Sequence, residues 1–265
     1  MDKNATNAQG KVAQDETPVA VYRPEGGQKV KGLFSTQTVE KVGTGTTQRK
    51  TISKMYWYCQ QNDAGQIDVQ PLNKNMVPSG VTTMVPMEDF LTKYNPEPEM
   101  YVKTVYPKMK ELTQTVQRAE EQRQRGALYS AQFEYENALN VDEENVRANF
   151  GLGLTYMERG DSTKAKDILE RIVGLDAAFA PEHKHLFNEF GISLRKSHMV
   201  DQAIDYYTRA LTMTETDENL HYNVARAFFE KGDVDKCRQH LNRAKEINPL
   251  HEEVNKFLTF LDTKK

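Results

Sequence analysis

Cysteine is scarce in this chain of 265 residues: Cys59 and Cys237 stand alone, far apart and in regions of different composition. Two such residues argue against a disulfide framework, so the fold has to rest on packing. Long apolar runs are missing too. No window of about twenty apolar residues occurs, which argues against a membrane-spanning helix. Charge of one sign is also lacking: 35 Lys and Arg stand against 38 Asp and Glu, a formal net charge of −3. A dedicated nucleic-acid binder carries a basic excess, and none is present. The first thirty residues lack the apolar core of a secretory leader, and cytoplasmic residence is the expectation.

Constellations that carry chemistry are equally sparse. Six histidines occur, at 183, 185, 198, 221, 240 and 251, and only His183 and His185 are close. No cysteine or carboxylate sits at a spacing that would complete a metal site with them, so neither metal nor cofactor is expected. No nucleophile, base and orienting group can be assembled, and catalysis is not expected. One loop is Gly-rich: Gly43 and Gly45, with Arg49 and Lys50 behind them, could cradle a phosphorylated ligand. A P-loop, however, needs a glycine-lysine-hydroxyl ending before a helix, and here a strand follows. A plain loop between strands is the competing reading.

What the chain does have is a repeat. Gly153, Tyr156, Gly160, Ala165 and Leu169 can be laid over Gly191, Leu194, Ala203, Tyr207 and Ala210, and again over Ala225, Phe228, Gly232, Cys237 and Leu241. A weaker copy keeps Ala119, Gly126, Ala131, Tyr135 and Ala138. The units start near Leu112, Val146, Lys184 and Glu218, offset by 34, 38 and 34 residues, so extra chain enters between residues 177 and 183. In each unit a small and a large residue share one helix face, a glycine turn follows, and a second apolar-periodic stretch begins. That is a helical hairpin, and one hairpin cannot bury its own apolar face. Neighbouring hairpins must stack into a solenoid.

The pattern resembles the tetratricopeptide repeat, a helix-turn-helix unit of about 34 residues. The resemblance implies a mainly α, right-handed superhelix with four repeats over residues 112–249 and a capping helix over 250–265. It also implies that the first helix of each unit lines a concave groove. The residues it would place there are Arg147, Phe150, Leu154 and Met157; Asn188, Ile192 and Arg195; and Asn219, Tyr222, Arg226 and Phe229, preceded by Thr113, Val116, Glu120 and Arg123. Apolar anchors among arginines suit an amphipathic helix or an extended peptide with acidic groups. Chaperone-binding members clamp a terminal carboxylate with lysines and asparagines. Val116, Glu120, Gly151 and Glu189 stand in those places here, so that role is disfavoured.

Upstream of the repeats the period changes. Residues 1–29 are polar and read as a disordered tail. Residues 30–98 read as a small β-containing domain. Its strands fall at 32–36, 50–59, 66–70 and 81–85, with a turn at Asn62 to Gly65 and a short helix from Met87 to Tyr94. Residues 99–111 read as a helical connector, broken before Pro107. The function these features suggest is a non-enzymatic adaptor or scaffold whose groove binds another protein. The alternatives are a phosphorylated-ligand sensor using the 43–50 loop, and self-assembly into a homo-oligomer through the β-hairpin.

Overall fold

The computed structural model describes residues 29–42, 49–180, 183–213 and 216–263, with backbone alone at 39–42 and 49–52. The expected tail therefore lies, apart from Lys29, outside the described residues. The chain divides into two compact units, Met1–Pro78 with Thr82–Met109, and Ser79–Val81 with Lys110–Lys265.

The first unit is built on an antiparallel sheet of β1 (Lys31–Val42), β2 (Arg49–Gln61), β3 (Ile67–Pro71), β4 (Thr83–Val85) and β5 (Asn95–Pro96), in the order β4-β3-β2-β1-β5. β1 and β2 pair over their whole lengths, from Lys31 opposite Gln60 to Val42 opposite Arg49. The β2–β3 turn is closed by the Asn62 side chain, which accepts from the backbone N–H groups of Ala64 (3.1 Å) and Gln66 (3.0 Å). Gly65 supplies the left-handed residue that turn requires, at φ 80°. Because side chains alternate along a strand, neighbouring aromatics go to opposite faces. Phe34, Cys59, Ile67 and Val69 bury one face against Phe90 of α1 (Met87–Lys93), while Leu33 packs on the other with Tyr56, Tyr58, Tyr101 and Val105.

The expected break before Pro107 does not occur. Helix α2 (Pro98–Met100) runs through a π-helical turn at Tyr101–Val105 into α3 (Tyr106–Gln124). Proline supplies no N–H to the helical ladder. The widened turn absorbs that defect by pairing the Tyr106 N–H with the Tyr101 carbonyl, five residues back.

The second unit is a run of helical hairpins: α4 (Leu128–Val141), α5 (Val146–Glu158), α6 (Ser162–Gly174), α7 (Lys184–Lys196), α8 (Val200–Leu211), α9 (Glu218–Lys231), α10 (Val234–Ile247) and α11 (Glu252–Thr263). Four starts are fixed by side-chain caps: Asn145, Asp161, Asp217 and Asp233 each accept from a first-turn backbone N–H. Part of the extra chain between α6 and α7 forms a 3-10 turn, Asp176–Phe179. Its Phe179 packs on Phe187 and Tyr206, at centroid distances of 5.6 and 6.0 Å.

Tight seams explain the small residues of the repeat. A Cβ added at Gly191 would lie 2.4 Å from the Tyr207 ring, and Tyr207 is fully buried and cannot retreat. Gly191→Ala is therefore expected to cost about 1–3 kcal/mol. Gly174→Ala, where an added Cβ meets nothing within 4 Å, should leave the urea midpoint unchanged or raise it. Equal losses in both variants would refute the close-packing account.

The last described helix turns a polar face away from the preceding hairpin. In α11, Val254, Leu258 and Leu261 are buried against the preceding hairpin. Asn255, Thr259 and Asp262 stand 34 residues after His221, Ala225 and Phe228, which α9 buries. That outward face is polar, and Asp262 pairs with Arg238 at 2.7 Å.

Candidate docking surface

The first helices of the hairpins, α3, α5, α7 and α9, carry the residues expected along the groove, and with α11 they form two regions of different character. The N-terminal region is sealed. On α5 every residue from Ala148 to Met157 is buried, including Phe150, Leu154 and Met157. Phe150 meets Phe190 of α7 edge-on, with centroids 5.5 Å apart. Gly153 makes room for that contact: a Cβ there would lie 2.5 Å from the Phe190 ring. These three apolar residues are core between neighbouring hairpins and offer no anchor to a docked peptide.

Ion pairs close the same region. Arg123 of α3 pairs with Glu158 of α5 (2.7 Å) and with Glu189 of α7 (3.0 Å), joining three successive hairpins. Arg147 donates two hydrogen bonds to Glu120, of 3.1 and 2.7 Å. Arg195 is buried and paired with Glu230. Three of the arginines on these helices are thus neutralised by carboxylates of the chain itself.

The C-terminal region is open. On α7, Ile192 is half-buried, and the Asn188 amide oxygen accepts from Asn223 at 3.5 Å. Asn219 is exposed, with its amide oxygen 3.3 Å from the His251 ring. Tyr222, Arg226 and Phe229 recur at i, i+4 and i+7, one stripe of α9, and all three are half-buried. Two residues of α11 complete an aromatic cluster with them. Phe257 packs edge-on against Tyr222 (6.4 Å) and Phe229 (5.2 Å), and Phe260 packs against Phe229 (5.9 Å). Phe260 keeps 40% of its surface exposed.

Arg226 differs from the other three arginines. Its guanidinium lies 5.7 Å from the Tyr222 ring centroid, a cation–π contact, and no carboxylate among the described residues pairs with it. Close by, the fully buried Tyr207 hydroxyl has no hydrogen-bond partner among the described residues. Burial pushes that phenol well above its ordinary range, while the fields of Arg195 and Arg226 act in the opposite direction.

Phe257 and Phe260 are the members of this surface that sequence reasoning assigned to a cap alone. The repeat phase carried the signal: Phe260 stands 34 residues after Arg226, a position already assigned to the groove. Of the Gly-rich candidate, Gly43 and Gly45 lie outside the described residues. Arg49 and Lys50 are described as backbone of β2, opposite Val42 and Lys41. No group of three or more His, Cys, Asp or Glu that could hold a metal occurs among the described residues, and no described helix is long and apolar enough to cross a membrane.

Two family models described as tetratricopeptide repeat match the chain, at residues 146–179 and 194–259. No curated protein matches it. Similar solved structures include PilF of Pseudomonas aeruginosa, at 15% identity and a TM-score of 0.45, covering 58% of this chain and 69% of that one. A MamA structure matches at 23% identity and a TM-score of 0.42, covering 54% and 76%. Another MamA structure matches at 19% and 0.40, covering 52% and 77%. The two family matches fall on the stacked hairpins, and on that ground the C-terminal part of the chain, within residues 146–259, is made of tetratricopeptide repeats and is a protein-interaction scaffold.

Proposed function

We propose that the chain holds a partner protein by a peptide segment laid on α7, α9 and α11. The observation that carries this reading is the contrast along the first helices: α5 is buried and bridged by Arg123, whereas α9 and α11 carry a partly exposed cluster of four aromatics beside an arginine with no carboxylate partner among the described residues. Aromatic and arginine side chains dominate the energetics of protein interfaces because each brings a large contact area or a directional charge at small entropic cost. The binding segment is thereby confined to the last two hairpins and the terminal helix.

The test is capture from native cell extract by three forms of the full chain: wild type, Phe229→Ser with Phe260→Ser, and Tyr129→Ser with Phe133→Ser. The last pair is exposed on α4 and serves as a surface control. A protein retained by the wild type and the α4 variant but lost from the first variant is the expected result. Identical retention by all three would overturn the reading.

One further observation favours self-association as a second activity. β1 and β2 pair along their full length, but β3 and β5 reach only Trp57 to Gln61 and Phe34 to Ser35. Both edges of the hairpin beyond those residues are open among the described strands, and an open edge is a template for pairing with another strand. Sedimentation velocity of the full chain is expected to show concentration-dependent association, reduced by Gln37→Pro. A monomer at all concentrations would exclude it.

A further inference from the structure

The uncompensated charge on α9 narrows the chemistry of the segment that docks there. Five arginines stand on the first helices, and one of them, Arg118, pairs with Glu134 of α4. Arg123, Arg147 and Arg195 each face a carboxylate of this chain, and Arg226 does not. A guanidinium lying over the Tyr222 ring on a half-buried stripe is partly stripped of water, which strengthens its attraction for an anion relative to one in bulk solvent. It remains half-exposed, so an incoming group can reach it. Glu230, four residues after Arg226 on the same helix, is engaged by Arg195.

Resting on the docking surface argued above, we propose that Arg226 is the charge-reading subsite of that surface and binds an internal Asp or Glu side chain of the partner, next to a bulky apolar residue seated among Tyr222, Phe229, Phe257 and Phe260. A chain-terminal carboxylate is the poorer fit. It brings an acid with nothing beyond it, whereas the aromatic cluster runs from Tyr222, four residues before Arg226, to Phe229, three after it, and on to Phe257 and Phe260, so a segment that continues past its acid is needed to cover it. Spacing follows from helix geometry. Arg226 lies four residues after Tyr222 and three before Phe229, roughly 5 Å along the axis from each. The acid and the apolar anchor of the partner therefore sit one or two residues apart in an extended segment, or one turn apart in a helix.

Twelve-residue random peptides displayed on phage and selected on the full-length chain provide the probe, and the winning peptide is then measured by fluorescence anisotropy. The expected winner carries Asp or Glu within four residues of a Phe, Trp, Leu or Met. Arg226→Gln is expected to weaken it about tenfold. Changing its acid to the amide should weaken it as much, and the two changes together should add nothing more, which is the signature of direct coupling. The Arg226→Gln chain must unfold at the wild-type urea midpoint, so that the loss belongs to the contact. Additive losses would place the peptide's acid elsewhere and overturn the subsite while leaving the docking surface standing. A winner unaffected by Phe229→Ser with Phe260→Ser, or no winner at all, would overturn the docking surface itself.

Discussion

Phe190→Ala is expected to destabilise the repeat unit by about 3–5 kcal/mol, the range for truncating a fully buried aromatic whose surroundings collapse only partly. Phe190 has no exposed surface and sits where two hairpins meet. It contacts Phe150 of α5 at 5.5 Å and Tyr206 of α8 at 5.4 Å, and it fills the space left by Gly153. Removing it opens a cavity on both sides of one joint. In a stacked array stability is a sum of unit terms and nearest-neighbour terms, and this side chain belongs to the second kind. The loss should therefore appear as decoupling: far-UV circular dichroism during urea unfolding is expected to split into two transitions, the α7–α11 segment separating from α3–α6. Trp57, the sole tryptophan, lies in the first unit, so its fluorescence transition should stay in place. A single transition shifted by less than about 1 kcal/mol would mean that the joint does not depend on Phe190.

The hairpins were legible because their signal is periodic and local. A small residue recurring at Gly153, Gly191 and Ala225, with a large one three places on, has no other economical explanation than two helices in close contact. The strands at Ile67–Pro71 and Thr83–Val85 were legible from β-branched residues between turn signals. The length of the β1–β2 pairing was not, because Gln37 to Val42 carries no apolar alternation strong enough to mark a strand; its partner strand holds it there. The π turn before Pro107 was hidden for a related reason: proline marks a defect in the ladder, and whether the helix breaks or widens is decided by packing of Tyr101 and Val105. For the candidate surface, sequence named Tyr222, Arg226 and Phe229 together but could not rank them above Phe150, Leu154 and Met157. Rank depended on two facts invisible in one dimension. Arg123 crosses from α3 to α7, and Gly153 lets Phe190 in; together they bury α5.

Acidification is expected to weaken the last hairpin well before general acid denaturation. His240 of α10 lies with its Nδ1 3.1 Å from Nδ1 of His221 on α9, an arrangement in which one ring donates and the other accepts. Its ring also stacks on Phe228, with centroids 5.6 Å apart. Burial lowers its pKa from the ordinary 6.5 to about 4, and the neighbouring His221 acts in the same direction. The folded form therefore resists a proton that the unfolded form accepts. Above pH 6.5 neither state is charged at this site and stability does not vary with it. Between pH 6.5 and 4 the unfolded state binds more protons, so stability falls as pH falls, by about 1–2 kcal/mol once the solvent screening of a half-buried ring is allowed for. Urea midpoints of the full chain at pH 7.5, 6, 5 and 4.5 give the slope, and His240→Phe provides the reference in which this proton is missing. Carboxylates such as Asp217, held below the usual range against the cost of burial by its bond to Lys184 and by backbone N–H groups, titrate in both chains and cancel in the difference. The wild type minus variant difference should be flat above pH 6.5 and should grow steadily below it. A difference that stays flat to pH 4.5 would show that His240 takes up its proton equally in both states, and that the pair of rings does not make the terminal repeat acid-sensitive.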